Sequence, residues 1–240
     1  MLLRDRLIKT GHFCFKYRSY QFPVFILILL LEHNHLRGLK ENMYYDVSCI
    51  LVTFCGILVR ALTVGFVHEK TSGRNTKAQN AYELNTTGAY SVVRNPLYVG
   101  NYLVLLGMSL LPMDPWVAVL NSAAYFLIYF PIIMTEEAYL LEKFGEQYAD
   151  YASRVNCVIP SFGNFTRPVR SFSRNIFLKR EHDTWLTAAV GLVGVQMIRD
   201  YFAGLSVFNA GWLALLGAVF VTWAVLKYMK KTGRLKLVAV

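Results

Sequence analysis

Charge is scarce in this 240-residue sequence: 17% of it is Asp, Glu, Lys or Arg, and acids are the rarer sign, 15 against 25 bases. Soluble domains average about 25% charged and about 45–50% apolar residues. Here 55% of residues are hydrophobic, which excludes an ordinary soluble domain and points to a membrane. Cysteine is scarce as well. Cys14, Cys49, Cys55 and Cys157 form no CxxC pair and no even ladder, which excludes a disulfide framework and a zinc ribbon. His33 and His35 sit close together, but only Glu32 joins them, so no metal site is expected. A GxGxxG run following a strand is absent, which argues against a Rossmann domain. There is no internal repeat and no low-complexity tract.

Crossing a bilayer takes about 20 mostly apolar residues in one helix. Residues 47–67, 115–134 and 208–229 meet that easily, and 185–202 nearly do, ending on Arg199 and Asp200. Residues 97–111 are short, with Pro96 suited to the first position of a helix. The apolar stretch 22–31 crosses only if 17–20 and 33–35 serve as interfacial ends. No small-residue cleavage site follows it, so it is not expected to be a signal peptide. The expected fold is all-α: an integral-membrane bundle of about six transmembrane helices, five if the first does not span.

Lysine and arginine test that topology independently, because they gather on the cytosolic side. With both termini cytosolic, 21 of the 25 fall inside; Arg37, Lys40 and Arg199 fall outside, and Arg60 lies within a span. A net charge of +10 therefore reflects topology and contact with anionic headgroups, not nucleic acid. The sequons at Asn85 and Asn164 fall on the cytosolic side and are expected to stay unmodified. The outer connections are brief, and the polar, tyrosine-rich ones, 69–95 and 135–183, are cytosolic.

Those two stretches carry the chemistry. In the second, Glu137, Leu141, Phe144, Tyr148, Tyr151 and Val155 recur at steps of three and four, one face of an amphipathic helix that Thr135 can cap. Packing accounts for the aromatics. It does not account for Glu136 and Glu137, which follow directly on the apolar run: facing water they are ordinary, and facing inward they hold something cationic. In the first, Gly88 permits a tight turn and Gly100 a close backbone approach. Arg94 is either an anchor at the headgroups or a binding group.

The runs "ELNTTGAYSVVRNPLYVGN" and "EEAYLLEKFGEQYADYASRVNCVIP" resemble the two signature blocks of the isoprenylcysteine carboxyl methyltransferase family, which shares them with membrane phospholipid methyltransferases. The matching positions are Leu84, Gly88, Tyr90, Arg94, Asn95, Pro96, Tyr98 and Gly100. The second block adds Glu136, Glu137, Leu140, Phe144, Gly145, Tyr148, Tyr151, Ile159 and Pro160. The resemblance covers residues 79–160, about a third of the chain. Asn95 stands where the family has His, which keeps hydrogen bonding but holds no proton near neutral pH. The arginine that eukaryotic members carry just ahead of the glutamate pair has no counterpart in "FPIIMT", residues 130–135.

The resemblance implies S-adenosylmethionine as methyl donor, held in a cytosolic cofactor pocket by Gln79, Tyr82, Glu83, Leu84, Asn85, Tyr90, Asn95, Pro96, Leu97, Tyr98 and Glu137. Aromatic faces attract a sulfonium, and a carboxylate such as Glu137 pairs the donor's amine. Arg94 and Glu136 are expected to orient the acceptor or the donor's charged ends. The implied acceptor is a lipid or a lipidated molecule. Residues 1–240 read as one membrane domain: a signature core at 79–160, an interfacial basic-aromatic segment at 161–183 and a helix pair at 184–230. In the interfacial segment, Arg167, Arg170 and Arg174 either lie on anionic headgroups or gather a phosphate-bearing lipid. The rival readings are a small transporter, for which Arg60, Arg199 and Asp200 are the only ionisable groups in or near the spans, and a non-catalytic membrane scaffold.

Overall fold

The computed structural model describes residues 3–67 and 82–235, and every regular element among them is helical. Helix α1 (Leu3–Tyr17) meets α2 (Gln21–Leu31) through a 3₁₀ turn, and the pair bends by 79°. A second 3₁₀ turn, His33–Leu36, leads to α3 (Met43–Gly65), which Asn42 caps by accepting from the Tyr45 amide at 3.1 Å. Past the single turn of α4 (Ala89–Val92), Pro96 opens α5 (Pro96–Leu110). Asp114 and Pro115 start α6 (Pro115–Phe144), which is followed by α7 (Glu146–Arg154), α8 (Arg174–Ala203) and α9 (Ala210–Lys231).

Among the described residues, three helices are long and apolar enough to cross a membrane: α3, α6 and α9. A fourth span arises if the bent pair α1–α2 counts as one. Helix α5, at 15 residues, rises about 22 Å against a hydrocarbon core of about 30 Å. Helix α8 has the length but carries buried charges, Glu181, Arg199 and Asp200. These are matched rather than stranded. Arg60 on α3 meets Glu181 through two 2.8 Å bonds, and Arg199 meets Asp46 of α3 and Asp200. Paired in this way, the ionisable groups flagged by the transporter reading tie α3 to α8.

Two expectations are corrected here. Residues 115–144 form one continuous helix, so Thr135 is no cap: its Oγ1 donates to the Pro131 carbonyl, inside the helix. The break falls at Gly145 instead, whose φ of +52° suits glycine. The interfacial segment also does not end at 183, because Ser173 caps a helix that runs unbroken from Arg174 to Ala203.

Helices α3 and α5 pack backbone to backbone. A Cβ on Gly56 would lie 2.6 Å from the Gly100 carbonyl, and one on Gly107 would lie 2.6 Å from the Cys49 carbonyl. Small residues allow such an approach where lipid supplies no hydrophobic drive between helices. Around this seam the core gathers Phe25, Leu29, Leu36, Leu111, Val117, Ile132 and Val195, all fully buried.

Candidate functional site

Both signature blocks come together at one end of the spans. The single turn of α4 after Gly88 (φ +62°) and the residues that follow it are laced to the stretch beyond α7. The Gly88 amide donates to the Thr166 carbonyl, Arg94 to Asn156, and the Ser161 amide to Val92. Tyr151, buried on α7, donates its hydroxyl to the Tyr90 carbonyl at 2.7 Å. Leu84 joins Tyr148, Tyr151 and Val155 in a small apolar cluster beneath.

On that platform Arg94 forms a two-pronged pair with Glu137, both bonds 2.9 Å, with both side chains largely buried. Its remaining nitrogen donates to the Ala152 and Val155 carbonyls at 2.8 and 2.6 Å, which places a cation at the C-terminus of α7. Burial alone would lower the Arg94 pKa, but hydrogen bonds and charge from Glu137 outweigh it and the pKa rises. Glu137 also accepts from Asn95 at 2.9 Å and from the Cys157 thiol at 3.3 Å. Burial and the charge on Glu137 push that thiol up to about 11.

The neighbouring carboxylate turns elsewhere. Glu136 accepts from the Tyr98 hydroxyl at 2.8 Å, and the Tyr98 ring meets Tyr129 edge-on at 5.4 Å. Burial first, then the charge on Glu136, raise the Tyr90 phenol well above its ordinary range, against the pull of Arg180. Two adjacent glutamates therefore serve two settings. One closes a dense polar knot, and the other stands among tyrosines.

Of the expected residues, Arg94, Asn95 and Glu137 touch one another, while Tyr98 and Glu136 form a second pair beside them. Pro96 opens α5 and is buried. Tyr82 is exposed, and Glu83 pairs with Arg170 at 3.2 Å, which gives that arginine a protein partner. Asn85 and Leu97 are half-buried. Gln79 lies outside the described residues. Sequence reasoning missed Cys157, since a lone cysteine beside the closing Ile-Pro gives no signal. It also missed a cavity of about 370 Å³ among Phe22, Arg60, Asn101, Leu105, Tyr129 and Thr184. Neither glutamate lines it; Tyr129, in its wall, is the residue that the Tyr98 ring meets.

Apolar helices closed at one end by this arginine–asparagine–glutamate knot define a multi-pass helical membrane protein with a polar site at the ends of its spans. Residues 47–147 match the phospholipid methyltransferase family model, so over that part the chain is similar to membrane methyltransferases. It is 25% identical to protein-S-isoprenylcysteine O-methyltransferase B of Arabidopsis thaliana over 59% of this chain and 75% of that protein. With the corresponding Schizosaccharomyces pombe methyltransferase it shares 36% over 40% of this chain and 39% of that one. A cobalt-zinc-cadmium resistance protein of Cupriavidus metallidurans is 34% identical over 54% of this chain; the match spans 61% of that protein's length. No solved structure matches the chain.

Proposed function

We propose that the protein transfers a methyl group from S-adenosylmethionine to a hydrophobic acceptor at the membrane surface, with a lipid headgroup oxygen or amine as the acceptor class. The observation that carries this reading is the meeting of both signature blocks at one membrane-facing end, where tyrosines and a carboxylate not used by the knot stand together. That set suits the donor. Tyr90 and Tyr98 offer aromatic faces and Glu136 offers negative charge, as a sulfonium and an amine require.

The bound donor supplies an electrophilic methyl. The chain's part is positioning and the exclusion of water, because in-line displacement from sulfur needs close, oriented reactants more than an acid–base pair. Arg94 and Glu137 fix each other and the end of α7, so they hold the start of α5 at 95–98 in place. Tyr82, Glu83, Leu84 and Asn85 would form the outer lip, with Gln79 as the expectation beyond it. The cavity beside Tyr129 gives the acceptor an approach from between α3, α5 and α8, with Arg60 and Asn101 as polar anchors. We place both termini and this site on the cytosolic face, as the basic residues indicate.

Transfer of labelled methyl from S-adenosylmethionine into lipid extracts tests the reading. The parent protein should label a lipid fraction, and Glu136→Gln should lose at least tenfold. Equal labelling by parent and variant would remove Glu136 from the site. A non-catalytic scaffold is the second reading, favoured by the near-complete internal satisfaction of Glu137. Calorimetry with S-adenosylmethionine separates the two, since a scaffold gives no heat of binding.

A further inference from the structure

At the start of α6, about 30 Å of helix away from Glu136 and Glu137, lies a second cluster that the proposed activity does not use. Glu32 and His35 stand three residues apart across the His33–Leu36 turn, where 3₁₀ geometry stacks such positions on one side. Asp114, distant in sequence, meets them. Its Oδ1 accepts from the Trp116 amide at 2.8 Å and caps α6, while its Oδ2 is buried and receives no hydrogen bond. His35 Nδ1 is 3.0 Å from that Oδ2 but off the direction of a ring N–H donor, so the two atoms touch without bonding.

We propose that Glu32, His35 and Asp114 form a binding site for a divalent first-row transition cation of the zinc type, which links the end of α2 to the start of α6. One ligand atom from each residue lies within 4.8 Å of the others. Metal–ligand bonds of about 2.0–2.2 Å place neighbouring ligands about 3 Å apart. The His35–Asp114 separation of 3.0 Å already meets that spacing. Glu32 stands 3.9 Å from His35 and closes the difference by rotating a side chain that keeps 25% of its exposure. Two carboxylates balance a divalent charge, and the imidazole nitrogen favours zinc or cobalt over calcium or magnesium.

The backbone holds Asp114 ready. Met113, directly before it, is the one described non-glycine residue with positive φ, +60°, and its amide donates to the Leu110 carbonyl at 2.9 Å. Two features limit affinity. His35 is half exposed, which leaves positions to water, and the N-terminus of α6 repels a cation. The sequence expectation of no metal site rested on the absence of a further ligand near His33 and His35; folding brings Asp114 from far along the chain.

The competing account is a protonated His35 held between two carboxylates with no metal. Full-length protein in lipid nanodiscs, stripped with EDTA, is titrated with zinc chloride by calorimetry and with cobalt chloride by visible absorption. We expect one equivalent bound, cobalt bands of a nitrogen-ligated site and a higher Tm with zinc. His35→Gln lowers affinity at least tenfold. Asp114→Asn, which keeps an oxygen for the Trp116 cap, does the same, and His33→Gln leaves binding unchanged. If Asp114→Asn fails to fold, the half-exposed His35→Gln decides the matter. Absence of binding by the parent protein, equal binding by parent and His35→Gln, or equal affinity for calcium overturns the proposal.

Discussion

Arg94 shows how one side chain organises both signature blocks. Its fork takes two oxygens of Glu137 and two carbonyls of α7, a set that a lysine ammonium cannot reproduce. Removing one partner leaves the other charge buried. Glu137→Gln is therefore expected to cost about 3 kcal/mol, the low end for a buried pair because both side chains retain some water contact. Thermal unfolding in detergent should show a lower Tm, and the double variant Arg94→Met/Glu137→Leu should recover part of the loss. A double variant no more stable than Glu137→Gln alone would remove the pair from the stability account. Cys157 gives a pH test of the same knot. Its thiol ionises near 11 in the folded protein against the ordinary 9.0, so the stability it contributes is full below pH 9.0 and fades as pH rises toward 11. Alkylation of Cys157, followed by peptide mass spectrometry, should accelerate with a midpoint above pH 10. A midpoint near 9.0 would show that the thiol is neither buried nor held against Glu137.

At the scale of elements, the α3–α5 seam carries the site. Helix α5 begins at Pro96, capped by Asn95, so any shift of α5 against α3 moves residues 95–98. A methyl on Gly56 would press on the backbone of residues 100 and 104, which cannot give way as a flexible side chain can. Gly56→Ala is expected to destabilise by about 2–3 kcal/mol through overpacking and to lower methyl transfer along with it. Gly194→Ala, in α8 with nothing within 4 Å of its added Cβ, should be neutral or stabilise by up to about 1 kcal/mol. Paired melting curves check both. An unaffected Gly56→Ala would mean that the seam tolerates a wider spacing.

Across the whole molecule, the proposed function requires the site to face the cytosol, where the proposed donor would reach it. The two sequons, Asn85 and Asn164, flank the knot, and Asn164 donates to the Arg154 carbonyl at 2.9 Å. Expressed in a eukaryotic secretory membrane, neither should be glycosylated, while a sequon introduced at residues 38–41 should be. A mobility shift on endoglycosidase treatment reads the result. Modification at Asn85 in the parent protein would overturn the proposed orientation and count against a cytosolic methyl donor.

Membrane residence, helical class, the basic-residue bias and the signature positions were all legible in the sequence. Each rests on composition or short spacing, which a linear chain carries in full. Arg94, Asn95 and Glu137 stood out in the motif for the same reason, and the fold brings them into contact. Their partnerships were not: the motif suggests a glutamate that receives a ligand, whereas the fold saturates Glu137 with Arg94, Asn95 and Cys157 and leaves Glu136 to the tyrosines. Nor was the pairing of Arg60 with Glu181 or of Arg199 with Asp46. Each joins residues far apart in the chain, and a buried charge selects its partner by proximity after packing, which local sequence does not encode.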